Sequence, residues 1–395
     1  EDSKNSEFIK DIVGSFVPQV YGNKNIKLSI LCMMAGGVEG KKRADINILL
    51  AGDPSMAKSV LLVEADKITH KSMDTSGRGA SAAGLTIGMI KTSDGRMLAM
   101  AGVLPLMSGG IAYIDEFDKM NKDDRSAIHP AMEQQKVTIA KAGTTLTLPA
   151  KTAILAAANP KYGKFDSSQT LTDNIDIPPP LLSRFDLIWV IKDEINLAED
   201  LAKANYVLDT FENNNKEIIR KYTSKELTEY LNYVKTLKPK LSPTIRKKII
   251  PIYEKLRDLA RQDDVVVGIR QLEALVRMST AYAKLSLKDT VDDSCVDAVK
   301  IMLDDAYTRI NPDFGSSGYQ AQLQGVPHKL SKEQTAFKIW EECEDSGGHV
   351  NLVKFFREME KAKFDQRDSN RIFSQWETNC IIKLNDDGTY MRSRS

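Results

Sequence analysis

Four cysteines in 395 residues, Cys32, Cys295, Cys343 and Cys380, are too few and too widely spaced for a disulfide framework or a CxxC zinc pattern. They predict reduced thiols in an intracellular protein. No apolar run reaches the ~18 residues that a membrane span requires, and no secretory signal opens the chain. An excess of one charge is missing as well: 55 Lys and Arg face 54 Asp and Glu, a net of +1. Whole-chain charge therefore gives no reason to expect nucleic-acid binding, and any such contact must come from local clusters. The first residue is Glu1 rather than Met, which reads as an excised fragment.

What is present supports packed cores. Hydrophobic residues make up 42% and charged residues 28% of the chain. The length suggests two or three domains at roughly 100–200 residues each. Four short apolar runs, "ADINILLAG", "GGIAYIDE", "TAILAAANP" and "FDLIWVIKD", read as buried parallel strands. A helix through "IKLSILCMMAGG" stops at Gly36-Gly37, and another runs from Asn121, its N-cap, to Gln135. "KVTIAKAGTTLTLPAK" has two alternating arms about Ala142-Gly143, the pattern of a β-hairpin. Strands alternating with helices predict an α/β domain with a mostly parallel sheet over residues 1–195. Three-to-four spacing of apolar residues predicts a helical lid over 196–310. Residues 311–328, rich in Gly, Ser, Gln and Pro, read as a linker. A small unit of helices and short strands follows over 329–395.

"GDPSMAKS", Gly52 to Ser59, lies between a predicted strand and a predicted helix, the context that a phosphate-binding loop requires. Gly52 allows a sharp turn. The N–H groups of Asp53, Ser55, Met56 and Ala57, with Pro54 shaping the loop, lead into a helix N-terminus that attracts phosphate oxygens. Lys58 can reach the β- and γ-phosphates of ATP, and the Ser59 hydroxyl can ligate Mg²⁺. Ala57 stands where the general motif has Gly; a capped strand–helix turn is the plainer alternative. "IAYIDEFDKM" answers it, because a buried strand ending in Asp115-Glu116 puts an acidic pair where Mg²⁺ and the attacking water belong. Asp115 would hold the metal through water, and Glu116 would activate the nucleophile.

The motif "IDEFDKM" resembles the signature of the minichromosome maintenance (MCM) family of AAA+ helicases, which also carry Ala at the position of Ala57. "DRSAIHPAMEQQKVTIAKAG", "AAANP", "LLSRFDLIWV" and "IRQLEALVRMSTAYAK" are similar to MCM segments in the same order. The likeness spans about residues 10–310 and is of the archaeal kind, without the family's zinc-bearing N-terminal domain. It implies an AAA+ P-loop NTPase core, a helical lid and, over 329–395, a small winged-helix domain. That last unit carries 12 basic and 12 acidic residues, so a regulatory role is as open for it as DNA binding.

The resemblance also implies site roles. Asn159 matches sensor 1, Arg184 the arginine finger and Arg270 sensor 2, both arginines serving a neighbouring subunit's ATP. Tyr21 joins the nucleotide contacts. Lys141 at the hairpin tip matches a DNA-contacting lysine, and residues 76–99 match the helix-2 insert, with Arg78, Lys91 and Arg96 as DNA contacts. From its Gly, Ala and Ser content this insert reads as a mobile loop. The implied protein is a homo-oligomer, hexameric by resemblance, acting on DNA at replication forks. It would reside in an archaeal nucleoid or, if eukaryotic, the nucleus. A protein-remodelling ATPase of the same superfamily and a non-catalytic ring subunit are the alternatives. One departure stands out: Pro130 occupies a position where MCM sequences usually carry Glu, and a mid-helix proline predicts a kink.

Overall fold

Five parallel strands form the central sheet: β1 (Ile48–Gly52), β2 (Ser72–Ser76), β5 (Ile111–Asp115), β8 (Ala153–Ala158) and β9 (Leu187–Ile191), in the order β2-β5-β8-β1-β9. The computed structural model describes residues 2–310 except 41, 92, 95–96, 142–143, 167–168, 194–199, 203, 207, 209–219 and 263–267. Beyond 310 it describes 336, 339–340, 343, 349–361, 364, 369, 373–374, 376–377, 382–384 and 390–392. The chain divides into two compact units, Glu1–Phe314 and Gly315–Ser395.

Both faces of the sheet are buried, which explains why its inner strands read as unbroken apolar runs. Successive side chains point to opposite faces. Ile48, Leu50, Tyr113, Leu155 and Trp189 therefore enter one core, with helices α1 (Asp2–Ser15), α2 (Lys24–Ala35) and α3 (Lys58–Lys67). Leu49, Ala51, Ala112, Ile114 and Ala156 enter a second core on the opposite face. Edge strand β2 reads "SMDTS" and is only half-buried, so its sequence carries no apolar run.

Between β2 and β5 lie a short helix α4 (Ala82–Leu85), an antiparallel hairpin of β3 (Ile87–Lys91) and β4 (Met97–Ala101), and a short helix α5 (Val103–Leu106). The insert over 76–99 thus contains regular elements, a helical turn and a hairpin. Ser81 caps α4 by accepting from the Gly84 N–H at 3.1 Å, and Leu85 and Ile87 anchor the insert in the second core. A helix α6 (Lys122–Gln134) follows β5 and continues through Pro130 to its last residue. Its buried face, Ile128, Ala131 and Met132, holds it on the second core. A second hairpin joins β6 (Lys136–Lys141) to β7 (Thr144–Pro149), and its turn residues lie outside the described set. Short helices α7 (Leu171–Asn174) and α8 (Pro179–Leu182) lead into β9.

Four long helices build the lid: α9 (Ser224–Thr236), α10 (Ile245–Gln262), α11 (Ile269–Leu285) and α12 (Asp293–Ile310), with a two-stranded clip of β10 (Lys240–Leu241) and β11 (Thr290–Val291). A capping box at Thr223 and Glu226 opens α9. The apolar face of the lid joins the first core, where Cys32 of α2 and Cys295 of α12 share one buried cluster as free thiols. Burial pushes the Cys32 thiol far up and the Cys295 thiol to about 11, so both stay protonated. Cys380 lies outside the described residues.

Arg277 of α11 and Arg43, ahead of β1, both bind the buried Asp186 carboxylate, at 2.5 and 2.6 Å. The other Asp186 oxygen accepts the Asn47 N–H at 2.9 Å. Lid, core and the start of β9 are thereby pinned by one acid. Asp186→Ala strands two buried guanidinium groups and is expected to cost about 3–5 kcal/mol, read as a shift in the denaturation midpoint.

In the C-terminal unit, β12 (His349–Val350), β13 (Ile382–Leu384) and β14 (Tyr390–Arg392) form an antiparallel sheet in the order β12-β14-β13. With helix α13 (Leu352–Lys361) they enclose a small aromatic core of Trp340, Phe355 and Trp376.

Candidate active site

Backbone geometry shapes the loop after β1. Gly52 sits at φ +156°, and a Cβ there would lie 2.0 Å from the Ile191 carbonyl oxygen, so only glycine fits beside β9. Ser55 and Ala57 have φ of 65° and 56°, in the left-handed region. Alternating handedness turns successive N–H groups to one side, forming an anion nest. Among the described hydrogen bonds, none uses the N–H of Ser55, Met56, Ala57, Lys58 or Ser59 as donor. Those groups, at the N-terminus of α3, are the donors a phosphate chain would take. Pro54, Ser55 and Ser59 are exposed.

Asp53 has a different task from its neighbours. Its carboxylate is buried and accepts the N–H of Phe165 at 2.6 Å and of Asp193 at 2.9 Å. Its own N–H goes to the Ile191 carbonyl. It therefore fastens the loop to the chain beyond β8 and β9 and has no donor left for phosphate. Lys58 is buried and donates to the carbonyls of Gly52 and Asp53 at 2.7 and 2.6 Å. Burial lowers its pKa, while Asp115, Asp53 and Asp118 oppose that shift. Lys58 and Asp115 thus feel each other across the loop, although they lie far apart in sequence.

The acidic pair ends β5. Glu116 adopts a left-handed backbone, φ 50°, and its N–H donates to Asp115 Oδ1 at 2.8 Å. Ser76 at the end of β2 donates to Glu116 Oε2 at 3.3 Å, and Arg78 Nε stands 3.4 Å from the same oxygen. Gly77 allows this approach, since a Cβ there would meet the Glu116 carbonyl oxygen at 2.2 Å. Arg78, expected as a DNA contact, is therefore also a partner of the acid. An exposed pair of this kind contributes about 0.2–1 kcal/mol. Arg78→Ala is expected to raise ATP turnover without DNA by about 1.5–5-fold if Glu116 is the base, measured as phosphate release.

Asn159 follows β8, which lies between β1 and β5, and its N–H donates to Asp118 Oδ1 at 2.9 Å. Ser59 and Asp115 supply a hydroxyl and a carboxylate, hard oxygen donors that fit Mg²⁺. No cluster of three or more His, Cys, Asp or Glu side chains suited to a metal occurs among the described residues. A magnesium ion would therefore take its remaining ligands from phosphate oxygens and water.

Arg184 and Arg270 lie elsewhere. Arg184 precedes β9, at the N-terminal end of the sheet, whereas Gly52, Asp115 and Asn159 stand at the C-terminal end. A five-residue strand separates the two ends, about 17 Å at the usual rise per residue. Arg184 reaches His129 Nε2 at 3.1 Å and Glu133 at 2.9 Å on α6. Arg270 donates to the Met132 carbonyl at the C-terminus of α6, at 3.4 Å. Burial, then Arg43 and Arg184, lower the Arg270 pKa to about 10, which leaves it cationic at neutral pH. The structure thus joins these two arginines with Arg43 and Arg277 in one basic cluster, away from the phosphate loop.

The remaining candidates are scattered. Tyr21, in the loop between α1 and α2, tilts its ring against Tyr206 at 5.4 Å. Lys91 is exposed at the end of β3, and Arg96 lies outside the described residues. Lys141 pairs with Thr144 at the hairpin end, and its side chain lies outside the described set. No described helix is long and apolar enough to cross a membrane.

Comparison with known families decides the kinship. The family model for the MCM P-loop domain matches residues 1–211, and that for the MCM AAA-lid domain matches 225–306. The chain belongs to the MCM family. It is 41% identical over 330 residues to the DNA replication licensing factor MCM6 of Arabidopsis thaliana, covering 80% of this chain and 39% of that protein. It is 40% identical over 303 residues to the minichromosome maintenance protein MCM of Saccharolobus solfataricus, covering 74% and 44%. A third relative, Mcm6 of Drosophila melanogaster, is 37% identical over 347 residues, covering 84% and 42%. The chain spans about two fifths of the length of these relatives. Its core is the AAA+ P-loop fold of the family, followed by the MCM lid.

Proposed function

We propose that this chain is the ATP-hydrolysing motor of a DNA helicase, working in a homo-oligomeric ring of MCM-type subunits that opens replication forks. The ring is hexameric by family resemblance. One observation carries the reading. The phosphate loop and acidic pair stand at one end of the sheet, while Arg184 and Arg270 stand at the other. On this reading a single copy does not complete the site, and a neighbour would supply the arginines.

In this reading Lys58 and the loop N–H groups bind the ATP phosphates. Ser59 and Asp115 would hold Mg²⁺, which would neutralise charge on the phosphate oxygens when bound. Glu116 takes the proton of the attacking water as its oxygen bonds to the γ-phosphorus and the bond to the β-phosphate oxygen breaks. Asn159 orients that water. Arg184 and Arg270 of the adjoining subunit offset the charge that develops. Tyr21 would add a contact to the nucleotide.

Lys141, Lys91, Arg78 and Arg96 would meet DNA phosphates without reading sequence. The two hairpins are suited to this, because each projects a short antiparallel arm from the parallel core. We assign residues 1–195 to the ATPase core, 196–310 to the lid, 311–328 to a linker and 329–395 to a winged-helix domain. The antiparallel sheet and helix α13 support that last assignment. The site of action is the chromosome, in nucleoid or nucleus.

The test is ATP turnover with and without forked DNA, alongside strand separation. Stimulation by DNA and ATP-dependent unwinding are expected. Turnover that DNA leaves unchanged would overturn the helicase reading in favour of protein remodelling.

A further inference from the structure

A recess of about 400 Å³ opens between the lid and the N-terminal ends of the sheet strands, remote from the phosphate loop. Its walls are residues 36–40 and 42–45, the turn at Gly109-Gly110 ahead of β5, Lys151 ahead of β8, the C-terminal end of α9 with the residues just after it, and the end of α11. Six cationic side chains line it, Lys42, Arg43, Lys151, Lys235, Lys238 and Lys284, against two acids, Glu39 and Asp45. Three of the cations already have a carboxylate. Lys42 pairs with Glu273 at 2.7 Å, Arg43 with Asp186 at 2.6 Å, and Lys151 stands 3.9 Å from Glu39.

The other three do not. Lys235 and Lys238 make no hydrogen bond or ion pair among the described residues. Lys284 is 3% exposed and donates only to main-chain carbonyls, to Gly37 at 2.7 Å and Ala35 at 3.4 Å. Burial, followed by repulsion from Lys235 and Lys238, brings the Lys284 pKa down to about 8, with Glu39 opposing. Burial also lowers that of Lys235. A concave site where a buried ammonium, Lys284, and a half-buried one, Lys235, have no carboxylate partner favours an anion, and the exposed Lys238 adds positive charge at its rim. Its size is in the range of small-molecule sites.

We propose that this recess binds a small polyphosphate anion, at a site separate from the ATP-binding loop. Lys284 forms the floor, and Lys235 at the end of α9 and Lys238 just after it close over the ligand. A free small anion fits better than a DNA strand, because the floor ammonium is buried beneath the surface that a polymer backbone would follow. The ligand would bridge the lid to the segment that leads into β1, and so stiffen the joint between lid and core. This inference does not depend on the helicase reading.

The experiment titrates tripolyphosphate into the full chain carrying Lys58→Ala, which removes the phosphate-loop lysine, and follows the heat of binding. Saturable binding with one site per chain is expected, together with a rise in melting temperature. Lys235→Gln with Lys238→Gln should weaken it by about tenfold or more, as for loss of charge-assisted hydrogen bonds. The single exposed change Lys238→Gln, which no packing depends on, should weaken it measurably in a chain that melts normally. Lys42→Gln, whose partner is Glu273, should change affinity by less than about twofold. Absence of saturable binding overturns the proposal, as does affinity untouched by the double substitution. Displacement of the anion by single-stranded DNA, with DNA affinity lost in the same variants, would also overturn it and make the recess part of a DNA path.

Discussion

Equimolar mixing of Arg184→Ala and Lys58→Ala chains is expected to restore ATP turnover that neither chain shows alone. Arg184→Ala by itself should reduce turnover by about 10³–10⁵-fold, the effect of removing an arginine finger. Lys58→Ala should abolish it by removing the only lysine of the phosphate loop, whose ammonium lies against the Gly52 and Asp53 carbonyls. In a mixed homo-oligomer, about a quarter of the interfaces would join an intact loop to an intact arginine. Activity near that fraction of the unmodified chain is the expected result. The reason is the five-residue strand between Arg184 and the acidic end of the sheet. An arginine acting within its own subunit would give no recovery on mixing, and that outcome would sink the inter-subunit site.

Glu116→Gln should lower turnover by about 10²–10⁴-fold, the usual contribution of a general base, while ATP still binds. The amide keeps the shape of the side chain and can still accept from Ser76, which lies 3.3 Å from Oε2. It cannot take a proton from water, and it loses the charge that draws Arg78 to 3.4 Å. Binding of a fluorescent ATP analogue separates the two effects. Unchanged turnover would remove Glu116 from the chemistry. Loss of nucleotide binding together with turnover would point to a structural role instead. Because the Glu116 carboxylate is shared by Ser76 and Arg78, the same variant should erase the gain expected of Arg78→Ala.

Much of the site was legible in the residues. "GDPSMAKS" and "IDEFDKM" identify themselves through strand–loop–helix context, since a parallel strand buried on both faces must be continuously apolar. The four strands read from apolar runs are present as Ile48–Gly52, Ile111–Asp115, Ala153–Ala158 and Leu187–Ile191. Other parts had no local signal. Strand Ser72–Ser76 is a half-buried edge, and its polar "SMDTS" gives no period to detect. The hairpin within the 76–99 insert had no clear period because glycines and alanines dilute the alternation of Ile87, Met89, Leu98 and Met100. The helix containing Pro130 runs on to Gln134, with Ile128, Ala131 and Met132 buried on the core, a packing no local signal near the proline shows.

What the chain determines through short-range pattern is the phosphate loop, the acidic strand end, the order of strands and helices and the amphipathic lid. These depend on spacing within a few residues, where backbone geometry and alternation act directly. Tertiary structure alone decided the partners. Asp53 became a clamp on Phe165, 112 residues away, and Asp186 gathered Arg277 across 91 residues. It placed Arg184 and Arg270 on one helix end, and it left Lys235, Lys238 and Lys284 facing a common recess. Such pairings arise when the sheet twists and the lid closes over it, and no local period in a sequence encodes which distant charges then meet.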